Sequence, residues 1–266
     1  MSNAVVLCEI DERRIGTVTL NRPAVNNAYN AEVVAALLDT FGALRDDESL
    51  RAVVIRGNGP HFQAGADLQW LDEIGRMDPA ANLETSTRTA AAVRGLNEMP
   101  MPVIALVHGA CIGGGTGIIA AADIVIASSD AVFAISEARW GVFASIIFPQ
   151  LNAAIGARQV RRYAVSCERF DAERARTLGL VHEVCAPGGL DEAAAPIIDG
   201  ILRAGPRAVR ATKRSVMQCA GQFMDDRQFA DLVQLHADVR QSAEAREGFS
   251  SFREKRDPEW YPAVNP

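Results

Sequence analysis

Short apolar runs dominate the first two-thirds of the chain, and amphipathic repeats of helical spacing dominate the last third. Val5–Ile10 and Ile15–Leu20 flank the polar Asp11–Arg14, which predicts a hairpin. Asn30 is placed to cap a helix reaching Leu44, with Val34, Leu37, Leu38, Phe41 and Leu44 as its apolar stripe. Ala52–Gly57 and Val103–Leu106 read as buried strands, the second ending at Val107-His108. Ile124–Ala127, Val132–Ile135 and Val181–Val184 read as further short strands. From Pro149 the pattern turns helical, Asp171 is placed as a cap, and Asp191 to about Lys255 predicts three or four helices. The polar stretch Asp72–Thr87, with Gly75 and Pro79, reads as a surface loop and as the best candidate for a mobile lid.

At 266 residues and 48% hydrophobic composition, the expectation is an α/β protein with one sizeable core. That core is expected over residues 1–190, with a helical region over 191–266. No internal repeat or long linker interrupts it.

The stretch Gly109-Ala110-Cys111-Ile112-Gly113-Gly114-Gly115-Thr116-Gly117 lies between a strand and an alanine-rich, apolar helix. Glycines there admit a ligand close to the backbone, and the first helix amides lack internal partners. Such amides favour negative charge, whether a phosphate or an oxyanion formed during a reaction. No Gly-Lys-Ser/Thr follows, so the stretch is not a phosphate loop of the common kind. The oxyanion reading leads. After the turn Asn58-Gly59-Pro60, the segment His61-Phe62-Gln63-Ala64-Gly65-Ala66-Asp67-Leu68 adds a second glycine turn. Ala66, at the start of a short helix there, would aim another amide outward. Either loop alone is most simply a tight turn; together they suit an oxyanion hole.

These segments, with Asn21-Arg22-Pro23…Asn27-Ala28 and Ser136-Glu137…Gly141, occur in an order and at spacings that resemble the enoyl-CoA hydratase/isomerase (crotonase) superfamily. The resemblance runs from about Val5 to Trp260. It implies a crotonase-like spiral of ββα units with a C-terminal helical trimerisation region, assembled as a homotrimer or hexamer. It implies an acyl-CoA thioester as substrate, its oxygen held by the amides of Ala66 and Gly114. The backbone around Ala64, Asp67 and Leu68 would then meet the nucleotide end of coenzyme A. Phe249, Phe252 and Lys255 resemble the family's terminal helix, which can cover the adenine or 3′-phosphate.

Glu137 matches the superfamily position whose carboxyl group moves a proton beside the thioester. An apolar setting that includes Phe133, Trp140 and Phe143 is expected to raise its pKa. Two-carboxylate hydratases of the family carry a second glutamate three residues after the middle glycine of the triplet, where this chain has Gly117. Glu137 is therefore expected to act alone or with an unidentified side chain, and Gly117 to open room for a branched acyl group. The run Ser136-Glu137-Ala138-Arg139-Trp140-Gly141 looks closest to single-glutamate hydratases of branched glutaconyl-type acyl-CoAs, although Ala144 stands where relatives often have proline. The resemblance thus implies an enoyl-CoA hydratase. The alternatives are a Δ3,Δ2-enoyl-CoA isomerase and a catalytically silent acyl-CoA-binding member.

Charge and side-chain chemistry narrow the rest. The formal net charge of −6, and a first helix with Glu32 and Asp39 but no lysine, argue against nucleic-acid binding. Five scattered cysteines without a Cys-x-x-Cys suit a reducing, cytoplasmic setting, and four histidines show no ligand spacing. No metal or redox cofactor is expected, coenzyme A being part of the substrate. No apolar run is long enough for a membrane span. Asp123, His108 and His61 read as structural, although His61 could approach a phosphate. Arg203, Arg207, Arg210, Lys213 and Arg214 read as a solvated helix face or as a border to the coenzyme A phosphates.

Overall fold

The computed structural model describes residues 4–221 and 225–262. A six-stranded sheet carries the core, in the order β1 (Val6–Ile10), β2 (Ile15–Leu20), β3 (Ala52–Gly57), β4 (Val103–Val107), β6 (Ile124–Ser128) and β9 (Glu183–Cys185). The β1–β2 hairpin is antiparallel, and every other pair in this sheet is parallel. A smaller sheet joins β5 (Ala110–Ile112), β7 (Val132–Ala134) and β8 (Phe170–Asp171).

Parallel strands buried on both faces must be apolar at nearly every position, and β3 and β4 are. Alternate side chains divide between two cores. Val53, Ile55, Val103 and Ala105 face one that also holds Val34, Leu37 and Phe41 of α1 (Ala31–Asp46). Val54, Ile104 and Leu106 face the other, which Leu190, Ala194, Ile198 and Leu202 of α7 (Leu190–Arg203) close at helical spacing. Asn30 caps α1 by accepting from the Val33 amide at 3.1 Å.

Three expectations change. Asp72–Thr87 is not a loop: it spans the end of α2 (Leu68–Gly75) and the start of α3 (Pro79–Asn97). Asp78 caps α3 through the amides of Ala80 and Ala81, and Pro79 sits at its first position, where a missing N–H costs nothing. The glycine stretch is likewise not one strand-to-helix turn, because β5 forms within it before α4 (Gly114–Ala120) begins. The last strand begins two residues later than the apolar run suggested, at Glu183.

Beyond β7 the chain forms a 3₁₀ turn, Glu137–Trp140, then α5 (Phe148–Ser166) and α6 (Ala172–Leu178), which Asp171 caps through the Arg174 amide at 2.8 Å. Past α7 come α8 (Pro206–Cys219), α9 (Asp226–Arg240) and α10 (Ala243–Glu254). Among the described residues, α8 and α9 contribute nothing to the buried core.

Candidate active site

The first of the two glycine loops is fixed from below by Asn27, which is 2% exposed. Its Nδ2 donates to the carbonyls of Asn58 and His61 at 2.9 and 2.8 Å, and its Oδ1 accepts from the Arg22 amide. Tyr29 then brackets Ala66: the Tyr29 amide donates to the Gly65 carbonyl, and the Asp67 amide donates to the Tyr29 carbonyl. The amide between them, that of Ala66, has no partner among the described residues.

The second loop is paired to the first. The Gln63 amide donates to Ala110 at 3.0 Å, and the Ile112 amide donates to Gln63 at 2.9 Å. Gly113 follows at φ 56°, ψ −123°, a conformation open to glycine alone at little cost. Its own amide is used by Ala134, so Gly114, the first residue of α4, presents the free one. A side chain at Gly114 would meet the Tyr29 ring, with Cε1 2.7 Å from the added Cβ. The two free amides, Glu137 and Tyr29 line one cavity of about 630 Å³, roofed by α2 and α3.

Glu137 heads the 3₁₀ turn that follows β7. Its Oε2 is buried without a partner among the described residues, and burial raises the carboxyl pKa above the ordinary glutamate value. The expected aromatic setting is partly wrong. Phe133 points into the core against Phe170, while Trp140 and Phe143 are 62% and 74% exposed at the cavity rim. Burial is nevertheless the largest cause of the raised value, and Ile112, Ala134 and Tyr29 line the same cavity as Glu137.

Gly117 opens no room in the cavity. A Cβ there would lie 2.7 Å from the Cβ of Ile147, and the Ile147 side chain fills the volume. Glu137 is the only carboxylate lining the cavity among the described residues.

The remaining expected site residues divide. Ala64 and Leu68 line the cavity. Asp67 caps α2 through the Gln69 amide and pairs with Arg22 at 3.2 Å, so its side chain is committed. Helix α2 therefore starts at Leu68, two residues after Ala66. Lys255 is the exposed C-cap of α10 and lies outside the cavity lining. His61 accepts from the Ala110 amide through Nδ1 at 3.0 Å, and His108 Nε2 meets the Gly59 carbonyl. Asp123 accepts from the Val103 amide and from Lys213 Nζ, so its partners lie on β4 and α8. Three of the five basic residues are structural: Lys213 holds Asp123, Arg210 holds the carbonyls of Glu48 and Leu50, and Arg203 pairs with Asp199.

Two residues at the heart of the site escape a reading of the sequence. Gln63 is 1% exposed, and its Oε1 accepts from the Gly65 amide at 3.0 Å while lying against Gly115. Tyr29 precedes a helix cap and carries no motif of its own; only the need to bracket Ala66 would point to it. Among the described residues no cluster of three or more His, Cys, Asp or Glu could hold a metal ion. Nor, among the described residues, is any helix long and apolar enough to cross a membrane.

The enoyl-CoA hydratase/isomerase family model matches residues 11–262. An enoyl-CoA hydratase of Mycobacterium tuberculosis, EchA19, is 30% identical over 93% of this chain and 94% of its own. A trans-2-decenoyl-[acyl-carrier-protein] isomerase of Streptococcus mutans is 29% identical, covering 92% of this chain and 94% of its own. The crystal structure of an enoyl-CoA hydratase from Shewanella pealeana superposes with a TM-score of 0.91 at 31% identity, over 96% of each chain. The paired sheets, the ββα winding and the helical C-terminal region are those of the crotonase fold. The chain belongs to the enoyl-CoA hydratase/isomerase family.

Proposed function

We propose that the protein is an enoyl-CoA hydratase in which Glu137 is the single acid/base group. The observation that carries this reading is one cavity lined by two unpartnered amides and one carboxylate. The amides of Ala66 and Gly114 polarise the thioester oxygen. Water adds through its oxygen to the β-carbon and gives a proton to the Glu137 carboxylate. The π-electron pair moves onto the thioester oxygen, where the two amides hold the enolate. The carbonyl reforms as the α-carbon takes the proton back from Glu137, which ends as it began. A raised pKa suits a group that both takes and returns a proton near neutral pH. No metal or redox cofactor is called for.

The backbone at Ala64, Asp67 and Leu68 is assigned to the nucleotide end of coenzyme A. Lys255 would reach a coenzyme A only in a neighbouring subunit's site. A trimer or a dimer of trimers gives it that place and covers the exposed apolar residues of α8–α10, among them Val216, Phe229 and Phe252. A branched, glutaconyl-type acyl group rests on the Ser136–Gly141 motif, since the room expected at Gly117 is taken by Ile147.

The second reading is a Δ3,Δ2-enoyl-CoA isomerase. It is favoured by the single carboxylate, which suffices to carry a proton from the α- to the γ-carbon. Mass spectrometry on straight, branched and glutaconyl-type α,β-unsaturated acyl-CoAs tests the first reading: a gain of one water, lost in Glu137→Gln, supports hydration. No gain on any of them, with double-bond movement in β,γ-unsaturated substrates, replaces it with the second. Saturable binding without either reaction would leave a silent acyl-CoA-binding protein.

A further inference from the structure

We infer that the phenol of Tyr29 is a second catalytic group, holding the reacting water together with Glu137. The inference rests on the hydratase reading and supplies the contact that a lone carboxylate leaves unfilled. Attack at the β-carbon requires the water oxygen to be aimed. One hydrogen bond to Glu137 leaves the molecule free to rotate about it.

Tyr29 is fixed where such a contact is needed. Its backbone brackets Ala66, and its ring lies on Gly114, with Cε1 and Cζ 2.7 and 3.3 Å from the position of an added Cβ. Trp70 meets the ring edge-on at 5.5 Å between centroids, with planes at 71°. The ring is thus held against Gly114, and the backbone that carries it is pinned on either side of Ala66. It lines the cavity, and its Oη has no hydrogen-bond partner among the described residues. Two of the other hydroxyls that line the cavity are spent elsewhere: Thr85 and Thr89 donate to carbonyls of their own helix, α3. The position that α4 might have used for a second carboxylate is filled by Ile147.

Electrostatics agree with this placement. The Tyr29 pKa is pushed up to about 12, first by burial and then by the Glu137 charge, so the two groups sense each other. Tyr29 stays protonated at neutral pH and moves no proton. Its Oη accepts the water's second hydrogen while Glu137 takes the first, so electron density stays on the attacking oxygen.

The test compares Tyr29→Phe with the wild type in two assays. One measures hydration of the enoyl-CoA on which the wild type is most active. The other follows exchange of the α-hydrogens of a saturated acyl-CoA with heavy water, which needs Glu137 and the two amides but no attacking water. Hydration is expected to fall about tenfold or more, and exchange to stay within about twofold. Unchanged hydration overturns the inference. So does exchange that falls in step with hydration, because Tyr29 would then serve the enolate or the local structure. Wild-type protein that exchanges α-hydrogens but hydrates nothing overturns the hydratase reading itself, and the role of Tyr29 with it. That outcome is visible before the variant is made.

Discussion

Ile147 occupies the volume that a side chain at Gly117 would need, its Cβ lying 2.7 Å from where a Cβ on residue 117 would sit. Both residues are buried, and Ile147 belongs to the main core. Glycine in α4 is therefore a packing requirement, set by a residue thirty positions further on.

Restoring a carboxylate at that position is expected to fail. Gly117→Ala should destabilise the protein by about 1–3 kcal/mol through overpacking, and Gly117→Glu by more. Adding Ile147→Ala to Gly117→Ala should recover part of the loss, since residues sharing one space do not add. Denaturant unfolding of the two single variants and the double variant checks this coupling. Simple additivity would show that Ile147 is not the obstacle.

Removing the Glu137 carboxylate should cost hydration roughly 100- to 10,000-fold, the usual range for a positioned acid/base group. Glu137→Gln keeps the shape of the side chain, so binding of an acyl-CoA, measured by calorimetry, should change little. A variant with near wild-type turnover would assign the proton transfer elsewhere.

The same carboxyl links stability to pH. Its folded pKa is raised by burial, so the folded state binds its proton more tightly than the unfolded chain does. The contribution is fully present below the ordinary value of 4.5 and is lost as pH rises through the folded value. At pH 7 the charged side chain therefore weakens the fold, and Glu137→Gln should melt higher than the wild type there. Below the ordinary glutamate range the difference should close. In activity, kcat/KM should fall as pH drops through the raised value, because the proposed hydration starts from the carboxylate. Melting curves at the two pH values and a rate profile read both effects.

Phe252 is 86% exposed on α10, and Val216 and Phe229 are 64% and 59% exposed on α8 and α9. Within one subunit Phe252→Asp should change stability by no more than about 0.5 kcal/mol. In light scattering after size exclusion it should shift a trimer or hexamer towards smaller species. A wild type that runs as a monomer would refute subunit contact through this face.

Lys213 Nζ bridges the Met101 carbonyl and Asp123, tying α8 to the start of β4. Burial lowers the Lys213 pKa, outweighing the raising effect of Asp123. Lys213→Met should cost about 1 kcal/mol, by removing the Nζ bonds to the Met101 carbonyl and to the partly exposed Asp123. Thermal unfolding of Lys213→Met beside Lys213→Met/Asp123→Asn tests whether the loss runs through the Asp123 carboxylate.

What could be read from the sequence was whatever is written locally. Asn30 sits one residue before α1, the apolar runs of β3 and β4 match strands buried on both faces, and the glycines of both loops stand where the chain turns. Asp78-Pro79 was equally local, a cap followed by a first-turn proline, but the polar surface of α3 hid the helix behind it. The rest depends on residues far apart in the chain. Nothing near Gly117 announces Ile147, nothing near Tyr29 announces Gly114, and Gln63 meets Gly115 only because two loops pair.

Two of the four groups assigned to the chemistry are peptide N–H groups, and that changes how the site responds to mutation. Exchanging the side chain at residue 66 leaves the donor in place, and a side chain added at Gly114 acts by meeting the Tyr29 ring; proline alone would delete either donor. The reactive arrangement is stored in the route of the main chain rather than in the alphabet of side chains. A survey that swaps side chains one at a time would find Glu137 and Tyr29 and pass over the Ala66 amide that works beside them.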